Sequence, residues 1–150
     1  MRVSEVMTGK VQTVDQHERI ERARTLMRLR GIHHLVVVEG LRIVGLVSSE
    51  MLDRGEAEGI AHVEDIMLRH VLVASPELTI TRAAKLLRGR TAGALPVVAH
   101  DRLVGIVTVS DLLDLIGRGA AQPVATSRRR TLKVPGKKPR VVVAAADPHR

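Results

Sequence analysis

The sequence predicts an α/β (α+β) protein made of two β-α-β-β-α repeats and a basic C-terminal tail. Residues 63–115 align with residues 3–55 at a constant shift of 60 residues, without a gap. Both copies combine short β-branched runs, typical of strands, with one stripe of apolar residues at helical spacing. The surplus positive charge lies in residues 118–150 alone. A repeat that keeps its register over its whole length indicates internal duplication.

The aligned positions show what the two copies share. About a third of them are identical. Most of the identical positions are apolar, which is the pattern expected of a core that is built twice. The apolar and glycine pairs are Val3/Val63, Met7/Met67, Val11/Val71, Ile20/Ile80, Ala23/Ala83, Leu26/Leu86, Leu35/Leu95, Val37/Val97, Val38/Val98, Val44/Val104, Gly45/Gly105, Val47/Val107 and Leu52/Leu112.

Each copy opens with the same elements. "VSEVM" and "VEDIM" predict short amphipathic turns, and "VQTV" and "VLVA" predict short strands. A helix follows, in which apolar residues at i, i+3, i+6 and i+7 form one buried stripe. The stripes are Ile20, Ala23, Leu26 and Met27 in the first copy, and Ile80, Ala83, Leu86 and Leu87 in the second.

Each copy closes with two strands and a helix. The β-branched runs are "HLVVV" with "RIVGLV", and "LPVVA" with "RLVGIV". Only residues 39–41 and 100–101 separate the runs, so each pair is predicted to form a tight hairpin. Short helices are predicted at about residues 49–54 and 110–117.

The predicted domains are a first repeat at residues 3–58, a second repeat at residues 59–117 and a tail at residues 118–150. A unit of about fifty residues buries too little surface to be stable alone. We therefore predict that the two repeats pack sheet to sheet about a pseudo-twofold axis. The surface that one repeat would expose then becomes shared core.

Composition excludes several classes of protein. The chain has no Cys, which excludes disulfides, thiolate chemistry and zinc sites with sulfur ligands. It has no Phe, Tyr or Trp, which argues against nucleic-acid platforms that stack bases on aromatic rings. No run of apolar residues is long enough for a membrane span, and no charged start followed by an apolar stretch and a cleavage site indicates a secretory signal. We expect a cytoplasmic protein with no membrane contact.

The tail supports a separate hypothesis of function. Residues 118–150 contain nine Lys or Arg and one acidic residue, Asp147, which leaves fifteen residues of each sign in residues 1–117. The composition of the tail is compatible with three roles. They are a mobile solvated segment, self-association through "VVVAAA" at residues 141–146, and salt-dependent contact with nucleic-acid phosphates. In this alternative the repeats are a dimerisation scaffold, and the tail contacts nucleic acid or a protein partner.

The stretch "GIVTVSD", residues 105–111, predicts a strand that runs into a helix start. Thr108 and Ser110 offer hydroxyls beside unpaired backbone N–H groups, which suits a phosphate. Asp111 offers two acceptor oxygens, which suit the vicinal hydroxyls of a ribose. Gly105 leaves room for a ligand or another backbone to approach the strand. The alternative is a capping box, in which Thr108 and Asp111 satisfy the helix start themselves.

In its duplicated setting this stretch resembles the tandem CBS (cystathionine-β-synthase) domain pair, or Bateman module. The resemblance covers residues 3–117 and rests on "VSEVMTGKVQTV", "GIHHLVVVEGLRIVGLVSSEML", "VEDIML" and "ALPVVAHDRLVGIVTVSDLL". It implies a non-catalytic regulatory module that binds an adenosyl compound (AMP, ADP, ATP or S-adenosylmethionine) and has no obligatory cofactor. It also implies a homodimer, a flat disc of four repeats, that acts on an unidentified regulated protein.

The resemblance also assigns nucleotide-binding residues in the second copy. They are Asp111 for the ribose, Thr108 and Ser110 for phosphate, Gly105 where the ligand approaches the strand, and Ile106 with the backbone near Val73 and Pro96 lining the adenine pocket.

The first copy departs from this pattern. Met51 stands where Asp111 stands in the second copy, and Glu50 stands where Ser110 stands. A thioether cannot accept two strong hydrogen bonds, and a carboxylate beside a phosphate seat repels an anion. We therefore predict one competent site, and a degenerate first site marked by Ser48, Glu50 and Met51.

Catalysis and metal binding are not expected. His33 and His34 are adjacent at the start of a strand, so their side chains point to opposite faces and cannot chelate one metal together. One of the two is expected to face the crevice near the degenerate site. The other histidines show no metal-ligand spacing, and no catalytic motif is present.

Overall fold

The computed structural model describes residues 1–89 and 91–119, and the backbone of one strand at residues 141–143. The predicted order β-α-β-β-α, twice, is confirmed, and each repeat opens with a 3-10 turn. No helix in the described residues is both long and apolar enough to cross a membrane. The basic clusters of the tail lie outside the described residues. The elements are the 3-10 turns Val3–Glu5 and Val63–Asp65, β1 (Thr13–Asp15), α1 (Ile20–Arg30), β2 (His34–Glu39), β3 (Arg42–Ser48), α2 (Ser49–Ala57), β4 (His70–Leu72), α3 (Ile80–Leu87), β5 (Ala94–Ala99), β6 (Arg102–Thr108), α4 (Val109–Gly117) and β7 (Val141–Val143).

Three strands form the sheet of the first repeat. β1 runs parallel to β2, and β2 pairs antiparallel with β3. Gly40 lies in the turn of the predicted β2–β3 hairpin with a φ of 61°, a left-handed conformation that glycine adopts without strain. The predicted stripe of α1 is buried at Ile20, Ala23 and Met27. This sheet therefore has α1 packed on its core face.

The second repeat differs from the first at its opening strand. Its β5–β6 hairpin turns at His100 and Asp101, whose φ values of 50° and 60° match the type I′ turn of tight hairpins. Ala74, the counterpart of Val14 in β1, makes one parallel bridge to Val97. β4 lies just before this bridge and pairs antiparallel with β7. Val141–Val143, the described part of the apolar segment, thus pairs with a strand of its own chain.

An apolar cluster between the repeats confirms the sheet-to-sheet packing. It joins Val36 and Leu46 from the first sheet to Val71, Val73 and Ala94 from the second repeat, and each is at most 5% exposed. Burial of apolar surface contributes about 25 cal/mol per Å². This shared layer therefore supplies stability that a single small repeat lacks.

The two repeats exchange their first turns. Val3 is fully buried in the core of the second repeat, and Val63 is fully buried in the core of the first. Equivalent hydrogen bonds hold the two turns: Val3 N–H donates to the Leu78 carbonyl at 2.8 Å, and Val63 N–H donates to the Glu18 carbonyl at 2.9 Å. Matching contacts at equivalent positions are what a pseudo-twofold axis between the repeats produces.

Candidate functional site

The start of α4 is closed by a reciprocal pair of hydrogen bonds. Thr108 Oγ1 accepts from the Asp111 N–H at 3.2 Å, and the Thr108 N–H donates to Asp111 Oδ2 at 2.8 Å. The two residues form a capping box, as the alternative interpretation of the sequence predicted. The box holds both side chains at the positive end of the helix dipole. It pairs the N–H groups of Thr108 and Asp111, and the Val109 N–H donates to the Gly93 carbonyl at 3.0 Å, so most of the N–H groups that the sequence predicted to be unpaired are bonded within the protein.

The capping box leaves hydrogen-bonding capacity for a ligand. An ionised carboxylate has about four acceptor sites on its two oxygens. Within the described part of the chain, the Thr108 N–H is the one donor that the Asp111 carboxylate accepts from. Thr108 Oγ1 uses a lone pair in the cap and keeps its proton to donate, and Ser110 is exposed beside it. The cap and a nucleotide site are therefore compatible at the same residues.

The predicted pocket residues on the strands lie together, beside this helix start. Ile106 and Pro96 are cross-strand partners in the β5–β6 hairpin, and Ile106 packs on the inter-repeat cluster that contains Val73. The Ile106 backbone is bonded to Thr8 in both directions, at 2.9 and 3.0 Å. The Pro96 carbonyl accepts from the Ala74 N–H at 2.9 Å. Because these backbone groups are already paired, contact with a ligand falls to the apolar side chains.

Gly105 is approached by another segment of the protein. A Cβ built on Gly105 would lie 2.5 Å from Met7 Sδ and 3.1 Å from the Thr8 carbonyl oxygen. Gly45 of the first repeat is covered in the same way by Met67. The sequence left open whether a ligand or another backbone segment approaches Gly105. In the structure, the N-terminal segment of the chain approaches it.

The equivalent helix start in the first repeat keeps only part of the arrangement. Ser48 Oγ accepts from the Met51 N–H at 3.3 Å, so the hydroxyl cap is retained. The Met51 side chain packs against the core of the first repeat, and Glu50 is exposed. This helix start carries a thioether in place of the Asp111 carboxylate, so the same ribose contact is not available there.

The structure adds His34 to the crevice. His34 begins β2, and its Nε2 lies 2.8 Å from the carbonyl oxygen of Ala92 in the second repeat. Because a carbonyl only accepts, Nε2 carries the proton of this bond. Burial lowers the pKa of His34 and His33 lowers it further, whereas the bond to Ala92 and the carboxylates of Asp111 and Glu50 raise it. His34 therefore lies within electrostatic reach of both helix starts.

His34 predicts a loss of stability in mild acid. Its pKa in the folded protein lies below the ordinary 6.5. The unfolded chain therefore binds the proton more readily, and the free energy of unfolding falls as the pH drops from above 6.5 through the lowered pKa. Urea unfolding followed by circular dichroism between about pH 5 and pH 8 measures this slope. His34→Gln, which keeps a donor for the Ala92 carbonyl, is expected to flatten it.

The exposed His70 provides the control for this experiment. His70→Gln removes one exposed histidine by the same substitution and is measured in parallel as the matched control. Equal slopes in wild type and His34→Gln would contradict the assignment of the acid sensitivity to His34.

His33 points away from the crevice, as strand alternation predicted. It lines an open pocket of about 330 Å³ between α1 and α2, and its Nδ1 lies 3.4 Å from Ser49 Oγ. None of the predicted nucleotide-binding residues lines this pocket. Within residues 1–89 and 91–119, no three His, Asp or Glu side chains converge as metal ligands would.

Known proteins resemble this chain in both fold and sequence. The CBS domain pair of protein MJ0100, in complex with 5′-methylthioadenosine and S-adenosyl-L-methionine, superposes with a TM-score of 0.75 and 26% identity, over 79% of this chain and 98% of that one. CBSX2 in complex with AMP gives a TM-score of 0.66 and 25% identity, over 80% and 98% of the two chains. Homoserine O-acetyltransferase of Methanococcoides burtonii is 38% identical over 117 residues, which are 77% of this chain and 24% of the enzyme. The chain spans about a quarter of the length of such curated relatives.

The family assignment rests on both repeats. The family model of the CBS domain matches residues 3–54 and 63–118. The two matches begin at the two 3-10 turns and cover the two β-α-β-β-α units, so the duplication and the family agree. The chain belongs to the CBS domain family, as a tandem pair.

Proposed function

We propose that this chain is a non-catalytic regulatory module that binds an adenine nucleotide, AMP, ADP or ATP, in the crevice between its two repeats. The observation that carries the proposal is the start of α4, where Asp111 and Thr108 are held in place with acceptor and donor capacity to spare. Similar CBS pairs hold adenosyl compounds, namely S-adenosyl-L-methionine with 5′-methylthioadenosine, and AMP. Such a ligand enters as a reversibly bound effector, and no obligatory cofactor is proposed.

Different residues are proposed to contact the ribose, the phosphate and the base of the ligand. The Asp111 carboxylate accepts from the two ribose hydroxyls, because a charged acceptor with two oxygens matches a vicinal diol. The hydroxyls of Thr108 and Ser110 hold the phosphate, at the positive end of the α4 dipole. The apolar side chain of Ile106 and the backbone near Val73 line the pocket for the base, and Gly105 and Pro96 shape the strands behind it.

One ligand per chain follows from the difference between the repeats. At the first helix start, Met51 replaces the ribose acceptor and Glu50 adds a negative charge beside the phosphate position. A phosphate there meets repulsion and loses the charge-assisted bonds, each worth about 1.5–3 kcal/mol. Ser48, Glu50 and Met51 therefore form a site that does not compete for the nucleotide.

Regulation would proceed by a shift between two packings of the repeats. The crevice is bordered by both repeats, since His34 of the first is bonded to Ala92 of the second. A ligand that binds one packing more tightly than the other changes the population of the two. A separate regulated protein would respond to this change, in the cytoplasm, with the chain as a homodimer. The enzyme activities of the curated relatives belong to longer chains, in which the part aligned with this chain makes up about a quarter of the length.

Isothermal titration calorimetry of the full chain tests this function. AMP, ADP, ATP and S-adenosylmethionine are titrated in turn, with GMP, GTP and inorganic phosphate as controls for the base and for simple anion binding. We expect saturable binding of an adenine nucleotide at one site per chain and no saturable binding of phosphate alone. Absence of binding by every adenosyl compound would reject the sensor function and leave the dimerisation scaffold with its basic tail.

A further inference from the structure

The strand β4 is completed by the C-terminal strand of its own chain. Within the described residues, β4 pairs with β7 alone, in a register that sets His70 opposite Val143 and Leu72 opposite Val141. Val71, in the middle of β4, is 2% exposed and belongs to the apolar cluster between the repeats. Because buried backbone N–H and carbonyl groups need partners, β7 supplies bonds that β4 would otherwise lack.

The equivalent edge of the first repeat carries no such strand. The shift of 60 residues sets Lys10, Val11 and Gln12 against the three residues of β4. Among the described residues, these three belong to no strand and to no bridge. β7 therefore pairs with the repeat that carries Asp111 and leaves the repeat that carries Met51 without a counterpart.

β7 also lies at the seam between the two repeats. Its backbone runs beside β3 of the first repeat as well as β4 of the second. The same two strands are joined just before β4, where Leu46 and Leu68 exchange backbone hydrogen bonds of 3.0 and 2.9 Å. Because hydrogen bonds weaken steeply when their geometry is disturbed, the pairing of β7 depends on how the two repeats are packed.

The chain continues from β4 directly into the proposed nucleotide crevice. Val73 follows β4, and Ala74 is fixed to the β5–β6 hairpin at both of its backbone groups. Its N–H donates to the Pro96 carbonyl at 2.9 Å, and its carbonyl accepts from the Val98 N–H at 2.9 Å. A strand that orders β4 therefore also orders the backbone near Val73, which is proposed to line the pocket for the base.

We propose that β7 couples the tail to the nucleotide site, so that a nucleotide in the crevice and β7 on β4 stabilise each other. The inference rests on the proposed function and specifies its regulation. Each event orders residues 70–74, so the other event then meets a smaller entropic cost. By linkage, docking of β7 raises the affinity for nucleotide by the same factor by which nucleotide favours docking.

The consequence concerns the surplus positive charge of the chain. Residues 118–150 contain nine Lys or Arg and one acidic residue. When β7 is docked, this segment is held both at the end of α4 and at Val141, and a segment held at two points reaches less far than one held at a single point. Loss of nucleotide would therefore extend the reach of these charges.

Disulfide crosslinking tests the docking, because the chain has no cysteine of its own. His70→Cys/Val143→Cys sets two thiols on opposite residues of an antiparallel pair, whose Cα atoms lie about 4.5–5.5 Å apart, as a disulfide requires. Lys10→Cys/Val143→Cys is the matched control, since Lys10 is the exposed counterpart of His70 in the first repeat. Both full chains are oxidised mildly at low protein concentration.

Alkylation followed by mass spectrometry counts the remaining free thiols, and non-reducing electrophoresis shows whether a bond joins one chain or two. We expect the His70→Cys/Val143→Cys chain to close on itself and the control to remain reduced. Equal crosslinking of the two variants would overturn the docking of β7 on β4. A bond mainly between two chains would overturn it as well, because the occupant of β4 would then be the tail of a second copy.

Calorimetric titration with AMP and with ATP measures the coupling. We expect the oxidised His70→Cys/Val143→Cys chain to bind nucleotide at least about fivefold more tightly than its reduced form, the lower end of typical coupling between sites. Wild type carried through the same oxidation is the control, and its affinity should stay constant. Equal affinities of the oxidised and reduced forms would reject the coupling alone. Absence of binding by wild type would reject the proposed function and the coupling with it, while the crosslink still reports on the docking.

Discussion

Asp111→Asn is expected to weaken binding of the adenine nucleotide at least tenfold. Asparagine keeps a carbonyl oxygen that can accept from the Thr108 N–H, so the start of α4 is preserved. It removes the negative charge and the second oxygen that would hold the ribose hydroxyls. A hydrogen bond to a charged group contributes about 1.5–3 kcal/mol, and about 1.4 kcal/mol corresponds to a factor of ten in affinity. Calorimetric titration of the full chain measures the change.

Asp114→Asn is the matched control. Asp114 lies three residues further along the same helix, is exposed, and undergoes the same change in charge. We expect its affinity for nucleotide to equal that of wild type. Urea unfolding followed by circular dichroism verifies that both variants fold, since the chain has no Trp or Tyr for intrinsic fluorescence. Wild-type affinity in Asp111→Asn would show that the ribose is held elsewhere.

Gly45→Ala is expected to lower the free energy of unfolding by about 1–3 kcal/mol, the usual cost of overpacking a core. The new Cβ would lie 2.5 Å from Met67 Sδ and 3.0 Å from the Leu68 carbonyl oxygen. Met67 is 7% exposed and belongs to the first core, so its side chain has little room to move. The Leu68 carbonyl is held by the Leu46 N–H at 3.0 Å, so the backbone resists displacement as well.

Gly9→Ala tests the same change without the close contact. No heavy atom lies within 4 Å of a Cβ built on Gly9, and its φ is outside the left-handed region. We expect no loss of stability. Because alanine restricts the unfolded chain more than glycine does, the free energy of unfolding is expected to rise by about 0.4–1 kcal/mol. The midpoints of urea unfolding give both differences. Equal midpoints for Gly45→Ala and wild type would mean that the exchanged segment does not pack tightly on β3.

The fold was largely predictable because its strongest patterns act over a few residues. The stripe of α1 at Ile20, Ala23 and Met27, the hairpin at Gly40 and the gap-free duplication are all confirmed. Helical spacing and turn chemistry decide such features locally. The exchange of first turns left no local signal, because Val3 belongs to an amphipathic turn whichever repeat buries it.

The candidate site was predictable from the sequence to a similar extent. The pattern at Thr108 and Asp111 predicted both a capping box and a ribose acceptor, and the structure shows the box while the ribose contact stays a prediction. Strand alternation placed His33 and His34 on opposite faces. It did not indicate which of them faces the second repeat, because that depends on how the two sheets are stacked.

By itself, the sequence determined the two repeats, the order of their elements and the chemical difference between Asp111 and Met51. Residue spacing and side-chain type are enough for these, since both act within one element or between aligned positions. Only the tertiary structure decided that Met7 covers Gly105, that His34 bonds to Ala92 and that α4 shows Leu113 to solvent. The two contacts depend on segments far apart in the chain meeting across the pseudo-twofold axis, and no local pattern encodes what lies on the other side of such a contact. The exposure of Leu113 depends on which face of α4 the core covers.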